Sequence, residues 1–171
     1  MAILKQVAGI DVAQDELVVS LGHLDDELTL KIIDYKVFNN NLKGFKELVK
    51  WSVKQCTNDL KIRYVMEATG IYHQALAYYL TDNGSEASIV LPNKISNYFR
   101  TLDINTITDK TASEAITRFG LERKLEVWQR PKKIFRGLKQ LTRERDHLIV
   151  DRKILKNQLH AEKGEVFPNQ G

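Results

Sequence analysis

The stretch Ala8-Gly9-Ile10-Asp11-Val12-Ala13, followed closely by Glu16-Leu17-Val18-Val19-Ser20-Leu21, constrains this chain more than any other. An apolar run ends on a carboxylate, turns within about four residues and resumes as a second apolar run, which is the pattern of a β-hairpin. Asp11 then stands near the end of the first strand, where a carboxylate faces an open site. The chemistry of the chain depends on which other carboxylates reach it.

The order of the remaining runs restricts the fold further. Strands are predicted over Gln6–Val12, Glu16–His23 and Thr29–Phe38, the third half-buried with Leu30, Ile32, Ile33, Tyr35 and Val37 partly alternating. Asn39-Asn40-Asn41 caps a helix over Leu42–Gln55, with Leu42, Phe45, Leu48 and Val49 at helical spacing. Ile62–Met66 reads as a buried strand ending in Glu67. A helix follows over Ile71–Asp82, stopped by Asn83-Gly84, then a short strand over Ser88–Leu91. Helical text runs from Asn93 to about Leu102. Thr108 caps a helix over Asp109–Phe119, with Gly120 as its stop. A three-strand meander followed by alternating helices and strands is mixed α/β, and its order matches the ribonuclease-H-like layout.

Charge divides the chain in two. From Pro131 to Gly171 ten Lys/Arg stand against five Asp/Glu, a net +5, whereas residues 1–130 carry sixteen against seventeen, a net −1. A basic C-terminal segment suits a polyanionic partner. In the same segment Ile134, Leu138, Leu141, Arg145, Leu148, Arg152, Leu155 and Leu159 step by four and three, a heptad seam over about four heptads. A helix from Pro131 to Gly164, about 50 Å long at ~1.5 Å per residue, cannot bury that stripe alone. A partner helix is expected, from a second copy of the chain, making a homodimer or higher assembly. The expected organisation is a first domain over 1–128, a basic coiled-coil helix over 129–164 and a tail over 165–171. That polar tail reads as a cut between domains, so the chain is expected to be a fragment. Cys56 is the single cysteine and forms no intrachain disulfide, which suits a reducing cytoplasm. No apolar run reaches membrane-spanning length and the N-terminus has no signal-peptide core.

Asp11 and Glu67 each end an apolar strand, and Asp109 begins a helix. Three carboxylates from separate elements suit Mg²⁺ (or Mn²⁺), a hard ion that takes oxygen ligands and keeps several waters. In two-metal phosphoryl transfer such ions stabilise the attacking and leaving oxygens. Lys94, Tyr98 and Arg100 mix cations with an aromatic near the fifth strand and suit nucleic-acid contact. Lys132, Lys133, Arg136, Lys139, Arg143 and Arg145 form the densest basic stretch, whose phosphate binding would weaken with salt. Tyr72 and His73 stand where they either touch a phosphate or serve packing and capping.

Gly9-Ile10-Asp11-Val12-Ala13, Met66-Glu67-Ala68-Thr69-Gly70-Ile71-Tyr72-His73, Thr108-Asp109-Lys110 and Arg118-Phe119-Gly120 together resemble the DEDD-type insertion-sequence transposases, which include the pilin-gene invertases and the bridge-RNA-guided recombinases. The resemblance spans essentially the whole chain in order. It implies a RuvC-like, ribonuclease-H fold whose acidic residues bind Mg²⁺, then a coiled coil, then a separate domain that supplies a serine nucleophile. DNA is the implied substrate and a guide RNA a further partner. Asp11, Glu67 and Asp109 match the first three acids, as catalytic residues and metal ligands. A chain ending after the coiled coil lacks the serine domain and is not expected to complete recombination alone.

One departure stands out. The family's fourth acid falls three residues after Asp109, and here that position is Ala112. At ~100° per residue Glu114 lies roughly 140° around the helix from Asp109 and Ser113 roughly 40°, so Ser113 is the better placed, though weak, fourth ligand. One divalent ion is therefore expected to bind more readily than two. Two other readings remain open. An actin-like ATPase half also opens on a Gly-Ile-Asp strand, but the turn Ala13-Gln14-Asp15 lacks the phosphate-cradling glycine. A non-catalytic module that binds RNA or DNA and dimerises is compatible with Ala112.

Overall fold

A computed structural model describes residues 2–57, 60–102, 106–131 and 133–166; the side chains at 133, 134, 136 and 164–166 lie outside that description. The chain divides into two compact units, residues 1–130 and 131–171.

The first unit is a five-stranded sheet in the order β3-β2-β1-β4-β5. The strands are β1 (Ile3–Val12), β2 (Glu16–Asp25), β3 (Leu30–Asn39), β4 (Ile62–Glu67) and β5 (Glu86–Val90). The first three form an antiparallel meander, and β1, β4 and β5 are parallel. Helices α1 (Leu42–Gln55) and α2 (Gln74–Asp82) connect β3 to β4 and β4 to β5. Helices α3 (Pro92–Phe99) and α4 (Asp109–Glu122) follow. This is the expected ribonuclease-H-like mixed sheet with flanking helices.

The period of two along β1 sorts the core into two layers. Ala8, Ile10 and Val12 pack with Met66, with Phe45 and Leu48 of α1, and with Leu76 and Leu80 of α2. Val7 packs on the opposite face with Val65 and Val90, with Ile95 and Tyr98 of α3, and with Ile116 and Phe119 of α4. The central strands are thus buried on both faces, as parallel strands covered by helices require. After α4 the chain runs back along β5, where Trp128 N–H donates to the Ala87 carbonyl at 2.7 Å and Ser88 Oγ to the Glu126 carbonyl at 2.7 Å. That segment occupies the β5 edge, which would otherwise present unpaired backbone groups.

Element ends follow their chemistry. Asn41 caps α1 by accepting the Gly44 N–H at 2.9 Å, and α1 keeps its expected bounds. Gly84, at φ +75°, ends α2 in the left-handed conformation. Gly120 does not stop α4, which continues to Glu122. A Cβ there would come within 2.8 Å of Val7 and 2.9 Å of Val65, so this glycine answers to helix–sheet packing. His23, near the end of β2, is half-buried.

The second unit is one helix, α5 (Lys133–Val166), of 34 residues. It runs through Gly164, the residue expected to end it. Every described side chain on it is exposed, including the seam residues Leu138, Leu141, Leu148, Leu155 and Leu159. No helix among the described residues is long and apolar enough to cross a membrane.

Candidate metal-binding active site

Asp11 shares the α4 side of β1 with Val7 and Gly9 through the strand period, and Glu67 shares it on β4 with Val65. In the parallel ladder Gly9 stands beside Val65 and Ile10 beside Met66. One residue beyond this ladder, Asp11 and Glu67 stand at the ends of the two neighbouring strands. α4 packs across this face, and Asp109 is its first residue. Thr108 fixes that helix start with a reciprocal cap: Thr111 N–H donates to Thr108 Oγ1 at 3.2 Å and Thr108 N–H to Thr111 Oγ1 at 2.8 Å.

Electrostatics report the convergence. The Asp11 carboxyl is raised from 3.8 to about 6, first by burial, then by the charges of Asp109 and Glu67, with the Val12 amide opposing and Glu16 adding a little. Neither Asp11, Glu67 nor Asp109 forms an ion pair with a cationic side chain among the described residues. Uncompensated negative charge and hard oxygen donors on three elements fit a divalent Mg²⁺ or Mn²⁺ ion. As they stand, no group of three or more His, Cys, Asp or Glu among the described residues is close enough to hold an ion. Glu67 instead accepts from Thr69 Oγ1 at 3.2 Å.

The fourth position is a gap on the acidic side. Ala112 lines an open cleft together with Glu67, Ile95, Ser96, Phe99 and Arg100. Ser113 does not substitute for the missing acid. It is fully buried against β2, its hydroxyl 2.6 Å from Ser20 Oγ and donating to the Lys110 carbonyl at 2.8 Å. The angle around the helix surface puts it near Asp109, but the sheet under α4 claims it. Glu114 pairs with Lys110 at 3.9 Å.

The nucleic-acid candidates separate similarly. Lys94 and Arg100 are exposed on and just after α3. Tyr98 is not available: its ring is buried edge-on against Phe119 at 5.3 Å, and its hydroxyl donates to Glu122 at 2.7 Å. It points into the α3–α4 core because α3 is amphipathic and position 98 shares the buried stripe with Ile95. Lys139 and Arg143 are exposed one turn apart on α5. Lys132 and the side chains of Lys133 and Arg136 lie outside the described residues. Tyr72 is exposed, with its hydroxyl 3.4 Å from Gln14 Oε1, and His73 is buried just before α2. Asn40, which the sequence shows only as part of a helix-capping run, also belongs to this region. Its amide reaches the carbonyls of Ala13 and Tyr72.

A family model for DEDD transposases of the IS110 type, described as Transposase, matches residues 8–168. The chain belongs to the DEDD transposase family. Pilin gene-inverting proteins of Moraxella bovis and Moraxella lacunata are each 34% identical to it over 120 residues, which is 67% of this chain and 37% of theirs. The chain thus matches little more than a third of the length of those curated relatives. Among solved structures, Thermus thermophilus RuvC is similar over 72% of this chain and 99% of its own, with 10% identity and a TM-score of 0.49. The fold assignment stands on strand order and register. The ribonuclease-H-like unit falls almost wholly within the stretch that the family model matches.

Proposed function

We propose that the first unit carries the acidic half of a DNA transposase active site, with Asp11, Glu67 and Asp109 holding one divalent ion, Mg²⁺ or Mn²⁺. The observation that carries this reading is that Asp109 of α4 and Glu67 of β4 both lie near enough to Asp11 of β1 to raise its carboxyl pKa, while none of the three is ion-paired among the described residues. When bound, the ion supplies charge stabilisation for phosphoryl transfer at a DNA phosphate. The chain's own contribution is to hold anionic oxygens on rigid strand ends and to keep one side of them buried. A serine nucleophile on a further domain, as the family resemblance implies, completes the site. Pilin gene inversion, for which the Moraxella relatives are named, fits a reaction that cuts and rejoins DNA. Calorimetric titration of the chain with Mn²⁺ tests the metal centre: one site is expected, and a flat titration refutes it.

Ala112 favours one ion over two. Ala112→Asp is expected to shift Mn²⁺ stoichiometry from one toward two by adding a carboxylate to the cleft beside Glu67. Two tight sites in the parent chain would contradict the single-ion reading.

The exposed cations of α5 bind the phosphate backbone, of target DNA or of a guide RNA, and its leucine seam pairs with a second copy. Removing both Lys139 and Arg143 to Ala is expected to flatten the slope of log affinity against log salt by about 1.8 on duplex DNA, since each lost phosphate contact accounts for ~0.9. An unchanged slope in a salt series places the nucleic acid elsewhere. A second reading, a binding module without catalysis, draws support from Ala112 alone; Mn²⁺-dependent nicking by the full-length protein rules it out.

A further inference from the structure

The β1–β4 ladder ends at Ile10 and Met66. Beyond it Asp11 is paired to β2 through Val18, and Glu67 to β5 through Val90. The two strand ends bearing carboxylates therefore have separate anchors, and their like charges push them apart.

One side chain spans the gap. Asn40 Nδ2 donates to the Ala13 carbonyl at 2.8 Å and to the Tyr72 carbonyl at 3.2 Å. Ala13 lies two residues past Asp11, and Tyr72 five past Glu67, beyond the left-handed Gly70. Asn40 is itself tied down. Its backbone N–H donates to the Asp15 carbonyl at 2.9 Å, and its neighbour Asn41 caps α1. A longer contact also joins these loops, with the Tyr72 hydroxyl 3.4 Å from Gln14 Oε1.

We propose that Asn40 is a positioning residue: its carboxamide clasps the loops that follow β1 and β4 and so sets the separation of Asp11 and Glu67. The inference rests on the proposal that these carboxylates hold a divalent ion. Chemistry selects the amide. It offers two N–H donors to two carbonyl oxygens, whereas a carboxylate of the same shape offers none and repels both. Groups that orient metal ligands without touching the metal typically change affinity by about 10–100-fold.

The test is Mn²⁺ calorimetry on the parent chain, Asn40→Ala, Asn40→Asp and Asp11→Asn, with hydrogen exchange followed in residues 13–15 and 69–73. Asn40→Asp keeps the side chain's shape and serves if Asn40→Ala folds poorly. Both Asn40 variants are expected to weaken Mn²⁺ binding about 10-fold and to speed exchange in the two loops, while thermal midpoints move by only a few degrees. Asp11→Asn is expected to lose binding altogether. Asn40 variants that bind Mn²⁺ like the parent, beside an Asp11→Asn that does not, overturn the clasp and leave the metal centre standing. A parent chain that takes up no Mn²⁺ removes the metal centre and the clasp together.

Discussion

Asp11→Asn is expected to abolish metal-dependent DNA cleavage by the full-length transposase and, above about pH 6, to make the folded chain more stable than its parent. The loss of activity should be on the order of 10³-fold or more, since an amide oxygen carries no charge to hold a cation at the reacting phosphate. The gain in stability follows from linkage. Asp11 binds its proton more tightly in the folded chain, at about 6, than at its ordinary value of 3.8. Folded protein therefore holds more protons than unfolded protein between those values, and stability falls as pH rises through that window. Above it the whole cost of an ionised, crowded carboxylate is present. The interval corresponds to about 3 kcal/mol before screening, and partial solvent access at Asp11 reduces it to about 1–2 kcal/mol. Asn carries no such cost, so the variant's advantage should appear in denaturant melts at pH 7.5 and vanish near pH 4. A variant less stable than the parent at pH 7.5 would mean that Asp11 is a structural residue.

Gly9→Ala should strongly destabilise the first unit. A Cβ at position 9 would fall 2.3 Å from both the backbone nitrogen and Oγ1 of Thr117, and 2.6 Å from the Ser113 carbonyl oxygen. Two of those atoms are helix backbone and cannot rotate away. The contact is also used: Gly9 N–H donates to Thr117 Oγ1 at 3.1 Å, and that hydroxyl reaches the Ser20 carbonyl at 2.9 Å. Adding a methyl forces α4 off the sheet, with a loss of about 3 kcal/mol or more, at the upper end of what overpacking costs. Because α4 carries Asp109, Mn²⁺ affinity should fall along with stability. Chemical denaturation checks the first effect and calorimetry below the melting transition the second. A Gly9→Ala chain of unchanged stability would show that α4 does not sit this close to β1.

These two residues, two apart on one strand, show how differently parts of the site can be read. Asp11 is visible because an apolar run ending in a charge is rare enough to demand a reason, and Glu67 is visible for the same reason. Asp109 is visible through its cap. Gly9 carries no such mark, because its partner Thr117 is 108 residues away. Tyr98 and Ser113 are misplaced by local arguments that treat a helix surface as if all of it faced solvent or the site. Tyr98 lies instead against Phe119, and Ser113 against Ser20.

Written into the local order of residues are the strands, the helix N-caps at Asn41 and Thr108, the division into an acidic-faced unit and a basic helix, and the three carboxylates. Each of these depends on spacing within a few residues, where backbone geometry leaves few choices. Packing in three dimensions alone settles that Gly120 stays inside α4, that Ala112 and not Ser113 faces Glu67, and that Asn40 joins two loops from separate strands. Such relations depend on which surfaces come together across long stretches of chain, and no short-range periodicity encodes that.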